Sequence, residues 1–206
     1  FLNQWRDNPI ESHSRYFSYL LYIISLSHFF GLYFVFTKIS LDSHFSLGLI
    51  IALGISCGVV GINVAHELGH RAKSFDQSLG VMLLITSLYS HFYIEHNKGH
   101  HRHVSTPLDP ASARFNESLY KFIPRSIWGS LVSAFRLDTK QFLLFKALEF
   151  LYLTTVFLMF GKSALIFAIC IGVIGFLLLE VVNYIEHYGL VRKLNPSGRY
   201  EKVQPI

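Results

Sequence analysis

Four stretches of this chain are apolar over a length that matters. Residues 16–36 carry no formal charge and are interrupted only by Ser, His28 and Gly31. Residues 45–65 are also uncharged, with Gly48, Gly54, Gly58 and Gly61 spaced as small residues that let helices approach closely. Residues 142–160 hold Lys146 and Glu149 near their start, and residues 164–185 hold Glu180 and Asn183 near their end. A helix needs about 20 apolar residues to cross a hydrocarbon core, so each stretch predicts a transmembrane helix. A fifth run, 79–94, is shorter and wetter, with Thr86, Ser87, Ser90 and His91 inside it. At 1.5 Å per residue it reaches only about 24 Å, which predicts an interfacial or re-entrant segment.

Composition narrows the class. Of the 206 residues 51% are hydrophobic, 16% aromatic and only 15% charged, and the mean hydropathy is +0.39. Soluble domains average about 25% charged residues. These values exclude a disordered, collagen-like or coiled-coil chain. Cys57 and Cys170 both lie in apolar runs, which excludes a disulfide scaffold and makes them small core hydrophobes. The expected fold is all-α: a polytopic membrane helix bundle forming a single domain over 1–206.

The net charge of +5 does not point to nucleic acid, because the basic residues sit between apolar blocks. Loops 37–44 and 161–163 hold one base each, Lys38 and Lys162. Segment 95–141 holds Lys98, Arg102, Arg114, Lys121, Arg125, Arg136 and Lys140, and Arg192, Lys193, Arg199 and Lys202 follow residue 187. Basic segments beside membrane spans mark the cytoplasmic side. Residues 1–15, 66–78, 95–141 and 187–206 are therefore expected in the cytoplasm, with hairpins 16–65 and 142–187 crossing the membrane. The chain opens on Phe1 without a signal-peptide pattern and ends on Gln204-Pro205-Ile206 without closing an element, which reads as an internal fragment.

This topology gathers the reactive side chains on one face. Seven of the eleven histidines fall between residues 66 and 103. In His66-Glu67-Leu68-Gly69-His70 the two imidazoles, four apart on a helix, share a face and can share a metal. In 95–103 (EHNKGHHRH), His96 and His100 are also four apart, and His101 is turned about 100° further round an α-helix. A third cluster, 183–190 (NYIEHYGL), brings His187 to the same membrane depth. His28 and His91 stand alone and read as core or interfacial histidines, while His13 and His44 read as loop residues.

His66-Glu67-Leu68-Gly69-His70 matches H-E-x-x-H, the zinc-protease helix in which Glu activates water. A zincin needs only one further protein ligand and an open position, so it has no use for His96, His100, His101 and His187. Six imidazoles suit a pair of irons of higher coordination number.

These residues resemble the membrane-bound alkane 1-monooxygenases, alkane hydroxylases of the fatty-acid desaturase-like di-iron family. Residues 66–73 (HELGHRAK) are similar to that family's first histidine box. Residues 95–104 (EHNKGHHRHV), running on through 106–112 (TPLDPAS), are similar to its second box. Residues 183–190 are similar to the element that distinguishes the hydroxylases from desaturases. The similarity covers about 45–193. A further H-x-x-H-H box, present in the family, does not occur before Ile206, in keeping with the fragment reading.

The resemblance implies two non-haem iron ions held by His66, His70, His96, His100, His101 and His187. Glu67, Glu95, Asp109, Asn183 and Glu186 become candidate acceptors that fix the ligand tautomers, or else helix caps and loop contacts. It also implies hydroxylation of the terminal methyl of n-alkanes to 1-alkanols with O2, and rubredoxin as electron donor, fed by an NAD(P)H-dependent reductase. The setting would be a multi-pass protein among the lipids of the bacterial inner membrane, with the site on the cytoplasmic side. A desaturase or other hydroxylase of the same superfamily is the alternative, and an H-E-x-x-H membrane zinc protease a more distant one.

Overall fold

The computed structural model describes residues 11–42, 47–198 and 200–201, with side chains from Tyr16. The expectations for His44, for the start of the second apolar run and for the two chain ends lie outside the described residues. His13, expected in a loop, falls on the first helix; its side chain is not described.

Six helical elements follow one another: α1 (Glu11–Asp42), α2 (Leu47–Gly69), α3 (Ser74–Thr86), α4 (92–103), α5 (Leu119–Leu137) and α6 (Thr139–His187). The described residues contain no strand, only one isolated antiparallel bridge between Leu194 and Tyr200. Among the described residues, three helices are long and apolar enough to cross a membrane: Tyr16–Leu41, Leu47–Gly69 and Thr139–His187. Their most apolar windows are only 22%, 39% and 39% buried. They carry outward-facing Phe30, Phe34, Ile51, Ile55, Phe150 and Leu158. Large side chains of this kind, exposed along helices whose backbone groups are satisfied internally, are what a lipid-facing surface requires. The molecule is a membrane helical bundle.

Helix α6 is two arms. Gly161, at φ 84° and ψ −177°, breaks it in a conformation that favours glycine. Unbroken, the helix would hold Glu149 and Glu180 about 46 Å apart at 1.5 Å per residue. Instead, adjacent residues of one turn touch both. The amide and hydroxyl of Ser90 donate to Glu149 Oε1 at 2.8 and 2.5 Å, and the Tyr89 hydroxyl donates to Glu180 Oε1 at 2.7 Å. The arms therefore run back along each other.

The 79–94 run is also folded back. Helix α3 starts near the histidine end of the bundle, where Asp76 accepts from the Tyr22 hydroxyl at 2.5 Å and faces Arg71 at 3.6 Å. It ends at Thr86, within 3.0 Å of His28 on α1 and beside Cys57 on α2. The chain then turns through Ser87–His91, with Leu88 at φ 55°, and α4 returns to His66. Apart from half-buried Leu88, the turn residues Ser87, Tyr89, Ser90 and His91 are buried, and Lys146 reaches Glu149 Oε2 at 2.8 Å and His91 Nδ1 at 3.2 Å. His28 and His91 are thus hydrogen-bonded interior histidines. The small residues of α2 serve contact as well: Gly54 meets Ile174 and Gly58 meets Gly175 on the second arm of α6.

Candidate metal centre

Two helix ends build the site. His66 and His70 lie one turn apart at the end of α2, where the helix gives way at Gly69 and His70. The facing helix α4 is π-helical over His96–His100, so residues five apart also become neighbours on its face. The structure therefore differs from the expectation drawn on an α-helix. His96 and His101 converge, Nε2 to Nε2 at 3.0 Å, while the His100 ring stacks on His96 at 5.2 Å and points its nitrogens elsewhere.

Four imidazoles form a cage. His96 Nε2 lies 2.7 Å from His66 Nε2 and 3.2 Å from His70 Nε2; His66 and His70 are 3.1 Å apart, and His101 is 3.4 Å from His70. An imidazole nitrogen offers one proton or one lone pair, so His96 Nε2 cannot serve three neighbours as hydrogen bonds. Nitrogens bound to one divalent metal at ~2.1 Å lie ~3.0 to 3.4 Å apart, depending on geometry. The donor set fits a shared metal ion, with His66, His70 and His96 the tightest group; the His66–His96 pair is closer than a bound metal would hold it.

Electrostatics keeps the cage in ligand form. Burial, reinforced by the four neighbouring imidazoles, holds His96 far below the ordinary histidine range. Burial and the nearby His70 and His100 push His101 down to about 4, and burial and His66 lower His70. Neutral imidazole is the form that binds metal. Behind the nitrogens the walls are apolar: Ala65, Leu84, Phe92 and Tyr93 line a small cleft against His66 and His96, and Phe92 stacks on His96 at 4.7 Å.

His100 and His187 form a second group. Their ring centroids are 4.8 Å apart, on the far side of the His96–His100 stack. Asp109 Oδ2 accepts from His100 Nδ1 at 2.9 Å and from the Ser112 hydroxyl at 2.5 Å, and Oδ1 accepts from the Ala111 amide at 3.1 Å. This leaves His100 Nε2 free for a metal. Burial works against the charged forms of both partners, yet their hydrogen bond wins: His100 is raised and Asp109 lowered from their ordinary values.

The other candidate acceptors divide. Glu95, on α4, is buried against α5, takes the Ser133 hydroxyl at 3.4 Å, and is pushed up to about 7 by burial and by Asp109. Glu67 points outward and faces Arg71 at 3.7 Å. Glu186 is exposed, 4.0 Å from His187 Nε2. Asn183 is buried beside Glu180. Sequence reasoning missed Ser112, and it named Glu149 and Glu180 only as interruptions of apolar runs. An ionisable residue inside such a run is itself a signal for a buried role.

Comparison with known proteins agrees with this geometry. The fatty acid desaturase family model matches residues 43–205. The chain is 38% identical over 173 residues to alkane 1-monooxygenase 2 of Pseudomonas aeruginosa, covering 77% of this chain and 46% of that protein. It is 40% identical over 172 residues to alkane 1-monooxygenase 1 of Alcanivorax borkumensis, covering 75% and 43%. It is 26% identical over 162 residues to the xylene/toluene monooxygenase hydroxylase component XylM of Pseudomonas putida, covering 72% and 44%. The chain spans less than half the length of these curated relatives. Since the family match takes in both helix ends, the Asp109 loop and His187, the chain belongs to the fatty acid desaturase family.

Proposed function

We propose that this chain forms the metal-bearing part of a membrane-bound non-haem di-iron monooxygenase that converts n-alkanes to 1-alkanols with O2. The observation that carries this reading is the pair of adjacent imidazole groups: the Nε2 atoms of His66, His70 and His101 all within 3.2 Å of His96 Nε2, and His100 with His187 beside them. His66, His70, His96 and His101 would hold one iron, and His100 and His187 would contribute to a second. When bound, the irons supply O2 activation. The chain supplies the rest. Asp109 holds the proton on His100 Nδ1, the stacked Phe92 fixes the His96 ring plane, and the apolar wall of Ala65, Leu84, Phe92 and Tyr93 excludes water from the side where an alkyl chain would approach.

In this reading α1, α2 and the two arms of α6 make four crossings, about 16–36, 45–65, 142–160 and 164–185, and the α3–α4 hairpin is re-entrant. The basic segments put the histidines on the cytoplasmic side of a bacterial inner membrane. Rubredoxin, reduced by an NAD(P)H-dependent reductase, would deliver electrons to that face. The relatives' names support the alkane substrate.

The zinc-protease alternative predicts that Glu67 is essential and His101 dispensable. Glu67 instead faces Arg71 on an outward surface, and His101 is in the cage. The deciding experiment is iron content and octane-to-octanol turnover in the protein as its gene encodes it. His101→Ala is expected to lose iron and turnover together, and Glu67→Gln to keep both within about 10-fold. Alkene instead of alcohol would favour a desaturase. Normal iron and turnover in His101→Ala would refute the di-iron reading.

A further inference from the structure

His100 and His187 both stand on helices, α4 and α6, but helix winding alone does not orient the His100 ring. His100 is oriented by Asp109, and Asp109 lies on the irregular segment 104–118, where the backbone makes no regular ladder. A loop positions a side chain accurately only if something else fixes the loop.

That something is Arg125 on α5. Its guanidinium makes a side-on, two-bond pair with Glu117, Nε to Oε1 at 2.6 Å and a terminal nitrogen to Oε2 at 2.7 Å. It also donates to the backbone carbonyls of Pro110 at 3.1 Å and Ser112 at 3.0 Å, the residues immediately around Ala111 and next to Asp109. One rigid fork therefore grips both ends of the Asp109 turn. One helical turn further on, Gly129 lets Pro110 sit against α5: a Cβ there would fall 2.6 Å from Pro110 Cβ.

The same segment is tied to the element carrying His187. The Tyr184 hydroxyl donates to the Glu117 carbonyl at 2.7 Å, the Gly189 amide to the Ala113 carbonyl at 3.0 Å, and the Asn116 amide to the Tyr188 hydroxyl at 3.3 Å. Segment 104–118 thus connects the supports of both imidazoles; Arg192 holds its start through the Val104 and Ser105 carbonyls, and Arg125 braces the Asp109 turn against α5.

We propose that Arg125, with Gly129 as its seat for Pro110, is a positioning residue that sets the His100–His187 metal position and leaves the four-histidine cage untouched. The proposal rests on the two-metal reading above. Lysine cannot replace the fork, because an ammonium is a single point charge on a flexible stem and cannot meet four acceptors in one plane.

The test is iron per chain, by metal analysis and Mössbauer spectroscopy, in the detergent-purified protein as its gene encodes it, after washing with a graded chelator. Wild type is expected to show two iron environments. Arg125→Lys is expected to lose the second, with affinity there down about 10- to 100-fold, and to keep the first. Gly129→Ala is expected to do the same while retaining or raising helix content, since alanine is the better helix former; a merely structural role would not separate the two readouts. Two irons in wild type and two unaltered irons in both variants would overturn this proposal alone. Fewer than two in wild type would overturn the two-metal reading and this proposal with it.

Discussion

The two imidazole groups are made in different ways. The cage of His66, His70, His96 and His101 comes from two helix ends: His66 and His70 stand in and just past the α-helical Asn63–Gly69, and His96 and His101 in and just past the π-helical His96–His100. The His100–His187 pair joins residues 87 positions apart, and its geometry depends on Asp109, Ser112 and a loop. Rings placed by their own helices depend on local hydrogen bonding, whereas a ring oriented from a loop, as His100 is by Asp109, is only as well placed as the loop's anchors. The two positions should therefore fail separately.

His96→Ala should have the largest effect. Its Nε2 is within 3.2 Å of three other imidazoles, and its ring is stacked between Phe92 and His100. Iron in the cage and all turnover should be lost, as read by metal analysis and product formation. Loss of the second iron alone would break the comparison. Asp109→Asn comes next. It removes the charge that holds His100 and should cost about 10- to 100-fold in affinity at the second position only, measured by chelator titration.

Acid should separate the two positions. His100 is raised above the usual histidine value by Asp109, whereas His101 is near 4 and His96 lower still. As pH falls, His100 takes a proton first. Iron should leave the second position at a higher pH than the cage, as followed by Mössbauer signals; release in the reverse order would contradict the assignment. The smallest effect belongs to Glu186→Gln, an exposed carboxylate 4.0 Å from His187, which should leave iron content unchanged.

The contrast also explains what the sequence made legible. The apolar runs and their lengths revealed the long apolar helices, because lipid imposes a residue count that composition displays. His66 and His70 could be paired from spacing alone. The partnering of His96 with His101 could not, since nothing in EHNKGHHRH declares that the helix widens to π winding there. The reversal of α6 needed Gly161, which stands at the expected loop. The buried braces Ser90–Glu149 and Tyr89–Glu180 span 59 and 91 residues, and contacts of that range have no local signature. Arg125 was visible only as one of several bases in a basic segment, and its partners emerge from tertiary structure.

The most direct test of two unlike metal positions is a crystal of the iron-loaded protein measured at the iron absorption edge. The account predicts two anomalous peaks. One should lie about 2.1 Å from the Nε2 atoms of His66, His70, His96 and His101, and the other within bonding distance of His100 Nε2 and His187. A single peak among His66, His70 and His96, with His101 and His187 turned away from metal, would contradict it.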